Sequence, residues 1–163
     1  MPRPRTDTQA SGAAAEDAAC TLLQSRGLVL LARNVRSPFG ELDLVMREDA
    51  TIVFVEVRLR RNANFGGAAM SIDAGKRRRI ALAAQAWLSA NPAWRKSPCR
   101  FDVIAATTNA DALNCEWIPA AFTLDDIGYR PCPSTGPARS RSCPLLRARL
   151  ESRHEHPARH RRR

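Results

Sequence analysis

The sequence predicts an α/β protein, a layer sandwich around a mixed central sheet. Two observations predict it. Two Ala- and Leu-rich helical stretches alternate with short apolar runs of strand length. Two of those runs, 41–47 and 51–60, are separated only by the polar Glu48-Asp49-Ala50, the spacing of a hairpin. The resulting order is helix, strand, hairpin, helix, strand, strand.

Residues 1–11 read as a flexible N-terminal arm. Ala13 to Arg26 reads as a helix closed by Gly27, with Ala15, Ala19, Leu22, Leu23 and Arg26 on one face and Glu16 at its margin. Leu28 to Ala32 is a short candidate strand. Arg33 to Phe39 reads as a polar connection through Pro38. Glu41–Arg47 and Thr51–Arg60 form the hairpin, and Arg61 to Gly67 is a loop broken at Gly66-Gly67. A longer helix is expected from Ser71, as N-cap, to about Ala90. Its stripe is Ile72, Ile80, Ala83, Ala84, Trp87 and Leu88, and Asn91-Pro92 stops it. Arg100 to Thr107 is a strand and Asn109 to Asn114 a turn. Cys115 to Ile118 is a last short strand, and Pro119 to Asp126 holds a helical turn. The folded domain is expected over residues 12–129, with a disordered Arg/Pro/Ser-rich tail over 130–163.

The formal charge of +10 is unevenly spread. Residues 1–129 hold 16 Lys/Arg against 14 Asp/Glu, a net of +2, whereas residues 130–163 hold ten Arg against two Glu, a net of +8. The tail suits any polyanion without specificity, or is simply a solvated extension. Five cysteines, an odd number with no C-x-x-C pair, read as free thiols in a reducing compartment. The spacing of Cys132, Cys143 and the tail histidines fits no common zinc finger. Met1 to Gln9 lacks an apolar stretch, and no run approaches the ~20 residues of a membrane span, so a cytoplasmic protein without a membrane partner is expected.

The hairpin carries the chemistry. Carboxylates inside strands are depleted and costly, yet Glu41, Asp43 and Glu56 stand within two apolar strands. Strand side chains alternate between faces, so Glu41 and Asp43 share one face of the first strand, and Glu56, Arg58 and Arg60 one face of the second. A two-residue turn at Glu48-Asp49 sets Glu41 opposite Glu56 and Asp43 diagonal to it, within ~7–8 Å. Three acids so placed repel one another, and a hard cation, Mg²⁺ or Mn²⁺, relieves the repulsion. Arg58 is then in reach of an anion on that cation, the layout of metal-assisted phosphodiester hydrolysis. The same spacing also suits acid–base pairs with Arg58, Arg60 or Arg47 on an exposed face. A slip of one residue moves Asp43 to the other face.

Asp43 followed by Glu56-Val57-Arg58 resembles the PD-(D/E)xK nuclease motif. The wider wording is Arg33-Asn34, Gly40-Glu41-Leu42-Asp43-Leu44-Val45, Phe54-Val55-Glu56-Val57-Arg58 and Arg100-Phe101-Asp102-Val103-Ile104. It is similar to the bacterial YraN-like family over roughly residues 12–122. The resemblance implies a restriction-endonuclease-like three-layer sandwich, near the Holliday-junction resolvases. It implies Asp43 and Glu56 as metal ligands and catalytic residues, with Arg58 where the superfamily usually has lysine. Glu16 matches a helix glutamate that completes the metal site in resolvase-like members. Glu41 belongs to the family's own wording, with a role in metal, water or pairing. Lys76 matches a family lysine suited to a DNA phosphate, and Arg60 is a further candidate phosphate contact. Arginine stays protonated, so Arg58 is no general base, though it orients a phosphate in bidentate fashion. The tail beyond residue 130 is not part of the family pattern.

The expected function is a metal-dependent DNA endonuclease, structure-selective in repair or recombination and acting on branched or single-stranded DNA. The alternative is a non-catalytic nucleic-acid-binding protein that keeps the nuclease fold. A third reading makes the tail an RNA or acidic-surface contact and the body its scaffold. Few aromatics are placed to stack on bases: Phe39, Phe65 and Trp94 fall in loops. By analogy with resolvase-like dimers, a homodimer is expected.

Overall fold

Two helices and five strands form in this computed structural model, which describes residues 7–60, 72–109 and 112–127. Helix α1 spans Asp7–Ser25, so it starts six residues before the expected Ala13. It ends where the sequence predicts. Gly27 takes φ +94°, and the N–H groups of Gly27 and Leu28 return to the carbonyls of Gln24 and Leu23 at 3.0 and 3.1 Å. This paired closure needs a left-handed residue at the position of Gly27.

Strand β1 covers Val29–Ser37, well past the expected end at Ala32. The supposed polar connection is therefore strand for most of its length. Arg33, Asn34 and Arg36 are exposed on an edge strand, where charge is favoured, and that polarity hid the strand. Strands β2 (Gly40–Glu48) and β3 (Thr51–Arg60) form the expected hairpin. Helix α2 spans Ala74–Ala90. Its N-cap is Asp73, whose carboxylate accepts the Lys76 N–H at 2.7 Å, rather than Ser71, which lies outside the described residues. The helix stops at Asn91-Pro92 as expected, with the Asn91 side chain donating to the Trp87 carbonyl at 2.8 Å.

Strand β4 covers Cys99–Asn109, and β5 covers Ala112–Phe122, longer than the predicted 115–118. Pro119 disguised it. On an edge strand the missing N–H is tolerated, and the register shifts locally between Phe101 and Val103. A 3-10 turn follows at Asp125–Ile127.

The sheet order is β1-β2-β3-β4-β5. Only β3 and β4 run parallel, joined by the connection that carries α2, so the sheet is mixed as predicted. The hairpin register differs from the expected one. Glu48 pairs with Thr51 and Val45 with Phe54, so the turn is Asp49-Ala50. Asp49 adopts φ +49°, which aspartate tolerates, while Glu48 stays in the ladder and accepts from Arg100 at 2.6 Å. Continued past Leu44 and Val55, this register brings Asp43, not Glu41, level with Glu56.

Each helix seals one face of the sheet. Ile80, Ala84, Trp87 and Leu88 of α2 pack on Val45, Ile52, Phe54, Phe101 and Val103. Ala19, Cys20 and Leu23 of α1 pack on Leu44, Met46, Val53, Val55 and Ile104. The layers are helix, sheet, helix. The two cores between them bury Phe54, Leu23, Leu44 and Ile104 almost completely, the main source of stability in such a fold.

Candidate functional site

The β2–β3 ladder stops at Leu44 and Val55. Leu42 packs with the α2 core and Leu44 with the α1 core, so strict alternation breaks around Asp43. There the two strands part. β3 keeps its parallel partner β4 through Glu56, Val57 and Arg58, which pair with Val103, Ile104 and Ala105. The Val57 N–H faces the opened side, and Asp43 Oδ2 accepts it at 2.8 Å. A side chain has replaced a main-chain partner, so the backbone itself fixes the Asp43 carboxylate.

Glu56 is 5% exposed. Lys76, in the first turn of α2, sets Nζ 3.1 Å from Glu56 Oε1, and Arg58 sets its guanidinium 3.8 Å from the same oxygen. The cap at Asp73 fixes where that turn begins, and so where Lys76 is delivered. Two carboxylates and two cations thus meet where the sheet opens beside α2.

The electrostatics are asymmetric. The Asp43 pKa is pushed up to about 7, first by burial and then by the nearby Glu56 charge. The Val57 N–H and Lys76 pull it down, and Glu16 on α1 pushes it further up. Asp43 therefore senses both helix layers.

The sequence-predicted residues whose side chains are described separate into three groups. Asp43, Glu56, Arg58 and Lys76 come together. Glu16 is half-buried on α1 and acts on Asp43 through its charge. Glu41 does not join them: it is exposed and sits 3.7 Å from Arg36, its partner in the β1–β2 ladder. The Arg60 side chain lies outside the described residues. So do Phe65, Cys132, Cys143 and the whole of 130–163.

Among the described residues no three of His, Cys, Asp and Glu converge as a metal-binding cluster. The donor set is two buried or half-buried carboxylates, oxygen only. That set fits Mg²⁺ or Mn²⁺, which keep several waters and take one or two protein carboxylates, and does not fit zinc. The role of Lys76 as an ion partner of Glu56 was missed by sequence reasoning, as was the Val57 N–H. Asp73 three residues before Lys76 is the local signal that locates the helix start.

A second acidic position behaves differently. Asp102 on β4 is fully buried and accepts from Arg100 at 2.8 and 3.0 Å, from Trp117 Nε1 at 3.0 Å and from the Ala120 N–H at 2.9 Å. Every neighbour is a donor, so this carboxylate is satisfied by the protein and has no call for a cation.

Among the described residues no helix is long and apolar enough to cross a membrane. Over residues 15–106 the chain matches the profile described as Uncharacterised protein family UPF0102. It is similar to a UPF0102 protein of Xanthomonas campestris pv. campestris, with 52% identity over 118 residues, 72% of this chain and 95% of the relative. A UPF0102 protein of Pseudomonas entomophila is 48% identical over 120 residues, 73% of this chain and 98% of the relative. One of Stutzerimonas stutzeri is 47% identical over 117 residues, 72% and 98% of the two chains.

Proposed function

The chain belongs to the uncharacterised protein family UPF0102, and for it we propose a divalent-cation-dependent endonuclease that hydrolyses phosphodiester bonds in DNA. The observation that carries this reading is the Asp43–Glu56 pair at the parting of β2 and β3, with Lys76 drawn to it. Asp43 accepts one backbone N–H, and Glu56 pairs with Lys76 and Arg58, yet the Glu56 charge still raises the cost of ionising Asp43, unlike Asp102 with its four donors, and a dication between the two acids would remove their repulsion.

Asp43 and Glu56 would hold Mg²⁺ or Mn²⁺. Such an ion supplies Lewis-acid stabilisation of charge on the phosphate and a more acidic water. The chain supplies the rest. The Val57 N–H fixes the Asp43 carboxylate, leaving little freedom to lose on binding. Lys76 balances the Glu56 charge and stands ready as a cation for a phosphate oxygen. Arg58 is permanently charged and suits a bidentate grip on the phosphate, not proton abstraction. Glu16 adds negative potential from the opposite layer, which favours the cation.

The test is incubation of the full-length protein with branched, single-stranded and duplex DNA in Mg²⁺ and in Mn²⁺. Cleavage is expected on at least one substrate, abolished by chelator and reduced at least ~100-fold in Glu56→Gln. Undiminished cleavage by that variant would assign the activity to a contaminant. The alternative, a nucleic-acid-binding protein without turnover, is favoured by one observation: among the described residues no third acid joins the pair. Tight DNA binding with no cleavage of any substrate would establish it.

A further inference from the structure

We propose that the β1–β2 turn is a base-stacking tip that selects DNA with an unpaired base next to the cleavage site. The inference rests on the nuclease reading and names its substrate class. Phe39 is 45% exposed, and only Val29 shares that state among the large apolar side chains of the described residues. It is displayed by a rigid turn. Ser37 Oγ accepts the Phe39 N–H at 3.2 Å and donates to the Gly40 carbonyl at 2.8 Å. Pro38 fixes one backbone angle of the two-residue loop, and Ser37 pairs with Gly40 across it. An aromatic ring on a stiff, exposed turn loses little entropy when a base stacks on it.

Cations flank the tip. Arg36 is 87% exposed beside it, and Arg79 of α2 lies so close that a Cβ on Gly40 would stand 3.9 Å from the Arg79 Cβ. Arg79 follows Lys76 by three residues on α2, on the same side of the helix. One end of this short row reaches Glu56 and the other the tip, a track suited to a phosphate backbone. Phe39 stands one residue before β2 and four before Asp43, a span of at most about 13 Å at ~3.3 Å per residue. At the ~3.4 Å spacing of a stacked strand, that is about four nucleotides. The geometry therefore sets the scissile phosphate within about four nucleotides of the base held by Phe39.

Equilibrium binding to full-length protein in Ca²⁺ separates the possibilities, with a forked DNA and a fully paired duplex of the same length. Wild type is expected to prefer the fork. Phe39→Ala is expected to lose ~10-fold on the fork and less than about 2-fold on the duplex, the range of one base–aromatic stack. Phe39→Leu should lose as much, and Phe39→Trp should restore the preference, which a merely apolar contact would not require. Wild-type cut positions in Mg²⁺ should cluster within about four nucleotides of the fork. Equal loss on both DNAs, no loss, or no preference in wild type overturns the stacking role while leaving the nuclease reading intact. Failure of wild type to bind either DNA overturns both.

Discussion

Asp43 is the residue on which the site turns, and its chemistry has a measurable sign. Burial and Glu56 lift its pKa from 3.8 to about 7. The folded protein then holds a proton that the unfolded chain has released between those values. The Asp43 contribution to stability is therefore fully present below about pH 4 and is lost as pH rises through 7. Asp43→Asn cannot ionise and keeps an oxygen for the Val57 N–H. It is expected to be more stable than wild type at pH 8 by roughly 2–4 kcal/mol, about 5–10 °C in Tm, with the difference gone at pH 4. Millimolar Mn²⁺ should raise the wild-type Tm at pH 8 and leave the Asn variant unmoved. Melting curves at pH 4, 6 and 8 with and without Mn²⁺ check both. Equal melting temperatures at pH 8 would remove the repulsion argument. The sequence made Asp43 and Glu56 legible because acids in apolar strands demand a reason. It did not reveal that Glu41 pairs with Arg36, because that pair needs β1 to run on to Ser37, and the polar stretch from Arg33 reads as a connection.

At the scale of elements, three strand acids of similar appearance have different causes. Asp43 and Glu56 face each other across parted strands. Asp102 instead ties β4 to β5, anchoring Arg100, Trp117 and the Ala120 backbone where the register shifts. Those last two partners lie 15 and 18 residues downstream, beyond any local pattern. Removing it leaves the half-buried Arg100 guanidinium with Glu48 alone and takes the acceptor from Trp117 Nε1 and the Ala120 N–H. Asp102→Ala is expected to cost ~3–5 kcal/mol in urea unfolding, opposite in sign to Asp43→Asn at pH 8. A cost under ~1 kcal/mol would contradict the structural role. The apolar stripe of α2 was legible because helical periodicity is local, and all six predicted residues are buried. The second half of β1 was not, because an edge strand with exposed arginines reads like a loop.

At the scale of the whole molecule, the charge is uneven along the sequence: residues 1–129 carry a net +2 and residues 130–163 a net +8. The relatives are covered almost end to end by about 118 residues of this chain, and the family profile matches residues 15–106, which include the candidate site. Removing 130–163 is expected to flatten the salt dependence of DNA affinity while leaving Mn²⁺ binding unchanged, measured by titration at 50 and 200 mM salt. Unaltered salt dependence would clear the tail of any polyanion role. Beneath all of these outcomes lies the claim that Asp43 and Glu56 together hold a divalent cation. Calorimetric titration of Mn²⁺ into the full-length protein at pH 8 tests it most directly. One saturable site is expected in wild type, lost in Asp43→Asn and in Glu56→Gln. Absence of binding in wild type at millimolar Mn²⁺, or the same isotherm in all three proteins, would contradict it.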